Sequence, residues 1–321
     1  MLKTTPFEIW QQLTKNGENI VIAAHHGPDG DAVGACFALA IALDAHGLKP
    51  RIVLDKYNPK HDIVRGKEFI YHGDKVNMPV DVFVAVDCGD FGRIAFADDI
   101  FYKTETTINI DHHVSNNGFA LHNYVDAAVG STCELVYDIL QPHVSICKDV
   151  AAALYMGIIG DTGIFRYSAT TPKTMRIVAN LMETGIDFGA IQQAEMYMKT
   201  RVQSSIFSRA IKNMVYDGEI TYTAIRQQDL SETGATYADL EGIAEYLLNI
   251  EGTRAAAFFT ERTNGRIKAS FRGRDVDVNA VAAVFGGGGH KFAAAASFEA
   301  DFDEGISAVL SHLQRVVNDN V

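Results

Sequence analysis

Little in the sequence commits the chain to a membrane, to the cell exterior or to long nucleic acid. No apolar run approaches the roughly 20 residues needed to span a bilayer. The opening stretch MLKTTPFEIWQQL is amphipathic without a long apolar centre, so no secretory signal is expected. Only four cysteines are present, Cys36, Cys88, Cys133 and Cys147. No two form a C-x-x-C pair, which argues against a zinc ribbon. All four fall in apolar or helical surroundings and read as reduced, buried thiols of a cytoplasmic protein. Basic residues are in deficit: 28 Lys and Arg against 40 Asp and Glu leave a net charge of −12. That balance suits neither long duplex nucleic acid nor any partner that requires many phosphates to be neutralised. A small anionic ligand remains open, because a site can carry its own local positive charge. No internal repeat or low-complexity segment occurs apart from the glycine run at 286–289.

What is present describes an ordinary folded chain. Its 321 residues are 47% hydrophobic and 21% charged, enough for two compact domains. The first half alternates apolar strand-like runs with helical stretches. Strands are expected at Asn19–His25, Arg51–Leu54, Asp81–Val86 and Thr107–Ile110. Helices are expected at Ala32–His46, Gly130–Leu140, Asp149–Ile159 and Pro172–Gly185. This alternation predicts an α/β domain over residues 1–186, built on a mostly parallel, doubly wound sheet. Residues 187–215 read as a helical linker, with one long helical stretch from about Phe188 to Val215. Residues 216–321 then form a second, smaller α/β domain. Its expected strands are Ile220–Arg226, Ala255–Glu261 and Arg266–Arg272, with a tight hairpin at Thr263-Asn264-Gly265. Its expected helices are Tyr237–Leu248, Val278–Phe285 and Asp303–Val316.

Three of the first-half strands run into ionisable clusters. His25-His26-Gly27-Pro28-Asp29-Gly30-Asp31 follows the first, Asp87-Cys88-Gly89-Asp90 follows Val86, and Asp111-His112-His113 follows Ile110. Open α/β sheets bind ligands beyond the carboxyl ends of their strands, where turns alone need only Gly, Ser or Asn. Asp29 and Asp31 can be aimed at neighbouring points by one turn, and two such charges repel unless a cation lies between them. Imidazole with carboxylate suits Mn²⁺, with Mg²⁺ or Zn²⁺ as alternatives. Taken singly, each residue also has a plain structural use. Asp31 can cap a helix, Asp87 can sit in a turn that Asp90 would serve equally well, and Asp161 in Gly160-Asp161-Thr162-Gly163 is an unexceptional turn residue.

Taken in order, HxxPDGD, VDCGD, DHH and GDTG, followed much later by Gly286–His290 (GGGGH), the motifs resemble the DHH phosphoesterase family over nearly the whole chain. The resemblance implies a two-metal phosphoesterase. His25, Asp29 and Asp87 would hold one metal, and Asp31, Asp87, His112 and Asp161 the second, with Asp87 shared between them. His113 would contact the phosphate or assist proton transfer, and Asp111 would orient a histidine. His26 occupies a variable position and is left out of the set. In the second domain Arg272, Gly287, Gly288, Gly289 and His290 would grip the substrate. Two departures touch that grip: Arg272-Gly273 stands where similar proteins often have Arg-Ser, and Ala293-Ala294-Ala295 where they often have AAG.

The two-domain form, without further nucleic-acid-binding, membrane or sensory domains, is most similar to the family's nanoRNases. That implies hydrolysis of short oligoribonucleotides, two to five nucleotides long, to mononucleotides, and of 3′-phosphoadenosine 5′-phosphate (pAp) to AMP. The alternatives are a soluble phosphodiesterase of cyclic dinucleotides or their linear products, and a nucleotide-binding module with an inactive site. Expected partners are short single-stranded RNA or small nucleotides, with two divalent ions, Mn²⁺ before Mg²⁺. A homodimer is open.

Overall fold

The structure, a computed structural model, describes residues 4–73 and 79–319. The first three residues of the amphipathic opening stretch therefore lie outside it. The chain divides into two compact units, Met1–Met198 and Lys199–Val321. No helix among the described residues is long and apolar enough to cross a membrane.

Unit 1 is built on five parallel strands in the order β2-β1-β3-β4-β5. These are β1 (Asn19–Ala24), β2 (Lys49–Val53), β3 (Val82–Val86), β4 (Thr106–Asp111) and β5 (His122–Val125). The central strands β1 and β3 are apolar on both sides, and the period-2 alternation splits their side chains between two cores. Ile20, Ile22, Val82, Val84 and Val86 face the larger core with α1 (Pro6–Lys15), α2 (Gly30–Ala45), α4 (Thr132–Leu140), α5 (Lys148–Asp161) and α6 (Pro172–Glu183). Val21, Ala23, Phe83 and Ala85 face the smaller core. That second face is covered by little more than a 3₁₀ turn at Phe91–Ala97 and the one-turn α3 (Asp98–Phe101). The sheet is therefore wound on both faces, but unequally. β5, too short and polar for the sequence to declare it, closes one edge.

Within the larger core, α2 is buried from Gly30 to Leu43. A helix apolar all round has to be enclosed. Glycines let its neighbours come close. A Cβ at Gly34 would approach Ala153 O to 2.5 Å, and one at Gly157 would overlap the Cys133 sulfur and lie 2.7 Å from Asp31 Oδ1. Cys36, Cys88 and Cys133 are buried free thiols; Cys147, expected to be buried, is exposed where it precedes α5.

The stretch expected as one helix from Phe188 to Val215 is three pieces. α7 (Phe188–Gln192) passes into a π turn at Gln193–Tyr197, Met198 leaves the helix, and α8 (Arg201–Lys212) restarts on Thr200, whose hydroxyl accepts from Gln203 N. Residues 215–217 are a strand, β6 (Val215–Asp217).

Unit 2 carries a mixed sheet in the order β10-β11-β9-β8-β7-β6. The remaining strands are β7 (Ile220–Ile225), β8 (Ala255–Glu261), β9 (Arg266–Gly273), β10 (Gly288–His290) and β11 (Ala293–Glu299). β8 and β9 form the expected hairpin, and Gly265 has the positive φ of 76° that its tight turn requires. α11 (Val278–Val284) and α12 (Phe302–Asn318) cover one face of this sheet. α8, α9 (Gln227–Thr233) and α10 (Ile243–Leu248) supply a second core. The helix expected over Tyr237–Leu248 breaks at Gly242, φ 87°, into a 3₁₀ turn and α10. The glycine run is partly the strand β10, paired to β11. Alanine, a helix former by propensity, gave no warning of β11.

The glycine contacts give a test of this packing. Gly157→Ala should destabilise the protein by about 1–3 kcal/mol through overpacking. Gly160→Ala, where an added Cβ meets nothing within 4 Å, should be neutral or stabilise by up to about 1 kcal/mol. Urea denaturation of both variants checks the pair, and equal effects would refute the assignment.

Candidate metal centre

β1 is flanked by β2 on one side and β3 on the other, so the chain reverses its winding direction between β1 and β3. Such a switch point leaves a crevice at the carboxyl ends of the strands. His25 directly follows β1, Asp87 directly follows β3, and His112 follows β4 in the adjacent position. α2 and α5 bring the other carboxylates to the same place.

Each carboxylate is positioned by a separate device. Asp29 is the N-cap of α2: its Oδ1 accepts from Asp31 N and Ala32 N, both at 3.1 Å, while Oδ2 lies 3.8 Å from His25 Nε2. The cap is thus Asp29 rather than Asp31. Asp31 sits in the first turn, fully buried, and faces the start of α4. Its oxygens accept from Thr132 N at 2.6 Å and Cys133 N at 2.9 Å. Orphan N–H groups at a helix start are natural partners for a carboxylate. Asp87 has φ 58°, in the left-handed region that side chains seldom adopt. Its Oδ1 accepts from Thr132 Oγ1 at 3.0 Å, and its two oxygens lie 3.5 Å from His25 Nε2 and 3.6 Å from His112 Nε2. Asp161, the last residue of α5, lies 3.0 Å from His112 Nε2. Just beyond it Gly163, Ile164 and Phe165 are consecutively left-handed, a costly conformation for a β-branched residue and one concentrated at functional sites.

The imidazoles are oriented from behind. His25 Nδ1 lies 3.0 Å from both the His26 carbonyl and Arg93 Nη2. With Nδ1 protonated it donates to the carbonyl and leaves Nε2 free for a cation; the guanidinium contact belongs to the other tautomer. His113 Nδ1 donates to Asp111 Oδ1 at 2.7 Å, and Asn116 Nδ2 donates to Asp111 Oδ2 at 2.6 Å. His26, omitted from the site on sequence grounds, is exposed and pairs with Asp55.

Three groups of potential ligand atoms result among the described residues: His25, Asp29 and Asp87; Asp31, His112 and Asp161; and Asp87, His112 and His113. Within each, the ligand atoms lie within 4.8 Å of one another. Their chemistry fits a cation. Burial, then the Asp87 and Asp161 charges, push the Asp31 carboxyl well above the usual carboxylate range. Burial pulls His25 and His112 down, but their carboxylate partners outweigh it and lift both to about 10. The cluster balances its carboxylates with protons that a divalent ion would displace.

The candidate substrate residues of unit 2 lie on its sheet. Arg272 is on β9, Gly288, Gly289 and His290 form β10, and Gly287 precedes it. The guanidinium of Arg272 is already engaged by Glu245, with Nε at 2.8 Å and Nη2 at 2.5 Å. Sequence reasoning missed Thr132 and Arg93. Ser131-Thr132 reads simply as a helix start, and its hydroxyl reaches Asp87 only once β3 and α4 have packed.

An all-parallel sheet with His and Asp clustered at its switch point, joined to a mixed-sheet unit, defines a two-unit α/β protein with a candidate dinuclear metal centre. The chain belongs to the DHH family. Residues 19–158 match the DHH family, N-terminal domain, and residues 217–319 match the DHHA1 domain. An uncharacterized protein, the MG371 homolog of Mycoplasma pneumoniae, is 31% identical over 88% of this chain and 86% of its own. The bifunctional oligoribonuclease and PAP phosphatase NrnA of Thermus thermophilus is 28% identical over 91% of this chain and 88% of its own. The crystal structure of an exopolyphosphatase-related protein from Bacteroides fragilis superposes with a TM-score of 0.87 at 24% identity, covering 97% of this chain and 96% of that one, and shares the fold.

Two outcomes follow from this geometry. Raised imidazole pKa values stabilise the protein below the unfolded value of 6.5, and that stability is lost as pH rises toward about 10. The thermal midpoint in chelator should therefore fall from pH 6.5 to 9, while the increase produced by added Mn²⁺ should grow over the same interval; parallel curves would refute the proton-for-metal exchange. Thr132→Val should weaken Mn²⁺ binding about 10- to 100-fold by calorimetry, and Thr132→Ser should restore it.

Proposed function

We propose that the chain is a metal-dependent phosphoesterase that hydrolyses short oligoribonucleotides, two to five nucleotides long, to mononucleotides and pAp to AMP. The carrying observation is the convergence of His25, Asp29, Asp31, Asp87, His112 and Asp161 at one switch point. The likeness to a bifunctional oligoribonuclease and PAP phosphatase over 91% of the chain supports the substrate class.

His25, Asp29 and Asp87 would hold one divalent cation, and Asp31, Asp87, His112 and Asp161 a second, Mn²⁺ in preference to Mg²⁺. Bound there, the cations supply positive charge to phosphate oxygens and make a water more acidic. The protein's own work is orientation. Thr132 fixes the Asp87 carboxylate, and the start of α4 fixes Asp31. Asp111 holds Nδ1 of His113, so its Nε2 is the nitrogen left to meet a phosphate oxygen. The Asp111 contact also raises the His113 pKa, which favours a positively charged imidazole there. Such a group steadies the phosphate and can deliver a proton to the leaving oxygen. In unit 2, Arg272, Gly287, Gly288, Gly289 and His290 would grip the remainder of the nucleotide. Three buried free thiols accord with a cytoplasmic setting.

The purified protein with Mn²⁺ should release mononucleotides from RNA dinucleotides and phosphate from pAp. Asp87→Asn should lower kcat at least about a thousandfold. Faster turnover of cyclic than of linear dinucleotides, or full activity of Asp87→Asn, would overturn the reading.

A further inference from the structure

Strand register in unit 2 gathers residues that are distant in sequence. Directly paired residues project from the same face of a sheet, as do alternate residues along a strand. His290 pairs with Ala293, and Ala293 with Arg272. In the next row Gly288 pairs with Ala295, and Ala295 with Ser270; in the third, Ser297 pairs with Lys268. His290, Arg272 and Lys268 therefore rise from one face around a floor of small residues. The opposite face, with Ile267, Ala269, Phe271, Ala294 and Ala296, is buried in the core.

The cations on this face are not equally engaged. Arg272 is held by Glu245, and the Arg262 guanidinium lies 4.0 Å over the Tyr237 ring. The Lys268 side chain has no hydrogen-bond or ion-pair partner among the described residues. Burial, then the Arg262 and Arg272 charges, pull its pKa below the usual lysine range. An ammonium in that position is destabilised by its surroundings, and an anion laid on the small-residue floor would relieve it.

We propose that Lys268 is a second phosphate contact on this face, taking the anionic group next along the substrate from the one gripped in the row of Arg272 and His290. The two Cα positions are four strand residues apart, about 14 Å, and the long lysine stem covers the row between them. The inference rests on the reading that the chain acts on short oligonucleotides. It assigns Lys268 to length preference rather than to chemistry.

Full-length Lys268→Met and Lys268→Arg are compared with wild type on three RNAs in Mn²⁺: a 5′-hydroxyl dinucleotide with a single phosphate, a trinucleotide and a pentanucleotide. Lys268→Met should raise KM about tenfold for the two longer RNAs with kcat within about twofold, leave the dinucleotide unchanged, and be rescued by Lys268→Arg. With metal chelated, anisotropy of the labelled pentanucleotide should show the salt slope of binding reduced by about 0.7 in Lys268→Met. Equal effects on all three RNAs, or none with an unchanged salt slope, would overturn the role of Lys268. The same reduction of slope on going from wild type to Lys268→Met, in a protein whose wild type hydrolyses none of the RNAs, would sink the proposed activity and leave the phosphate contact standing.

Discussion

The Asp31 carboxylate, fully buried and held by two backbone N–H groups at the start of α4, is the constraint around which unit 1 is arranged. A lone buried carboxylate is costly, so everything near it has to supply hydrogen bonds or charge. α4 aims its first N–H groups at it. α5 crosses close enough, at Gly157, to bring Asp161 alongside. Thr132 then joins this carboxylate to Asp87, its N–H on one and its hydroxyl on the other. Helix packing and site geometry are one problem here, solved by the same atoms.

The surrounding residues divide the labour between folding and chemistry in different proportions. Asp29 does both at once, one oxygen capping α2 and the other facing His25. Asp87 gives up backbone comfort for position, in a left-handed conformation that only its surroundings can enforce. Asp111 belongs to none of the three ligand groups, yet its bond to His113 decides which imidazole nitrogen is presented to the site. In unit 2, Arg272 is held by Glu245, while Lys268 on the same sheet face has no hydrogen-bond or ion-pair partner among the described residues.

Much of unit 1 could be read from the sequence because β1 and β3 are almost wholly apolar and give way abruptly to His25 and Asp87. A strand buried on both faces has no other reason to end so. The edge strand β5, His122–Val125, offered no such contrast. The site residues were legible at strand ends, where topology fixes position, and least so at Asp161, where a helix end could as well have been a plain turn. Thr132 was not legible, since a helix-starting Ser-Thr pair looks the same whatever its hydroxyl meets 45 residues away in sequence. Nor was the grouping of His290, Arg272 and Lys268. Pairing register sets it, and a strand of alanines hides that register.

The span from His25 to Asp161 has a consequence for how the protein is made. A chain emerging from the ribosome delivers β1, then β3 and β4, and only later the end of α5. Until that last carboxylate arrives, a cation would find a half-built cage, so the complete ligand set is a property of the finished unit and not of the emerging sheet.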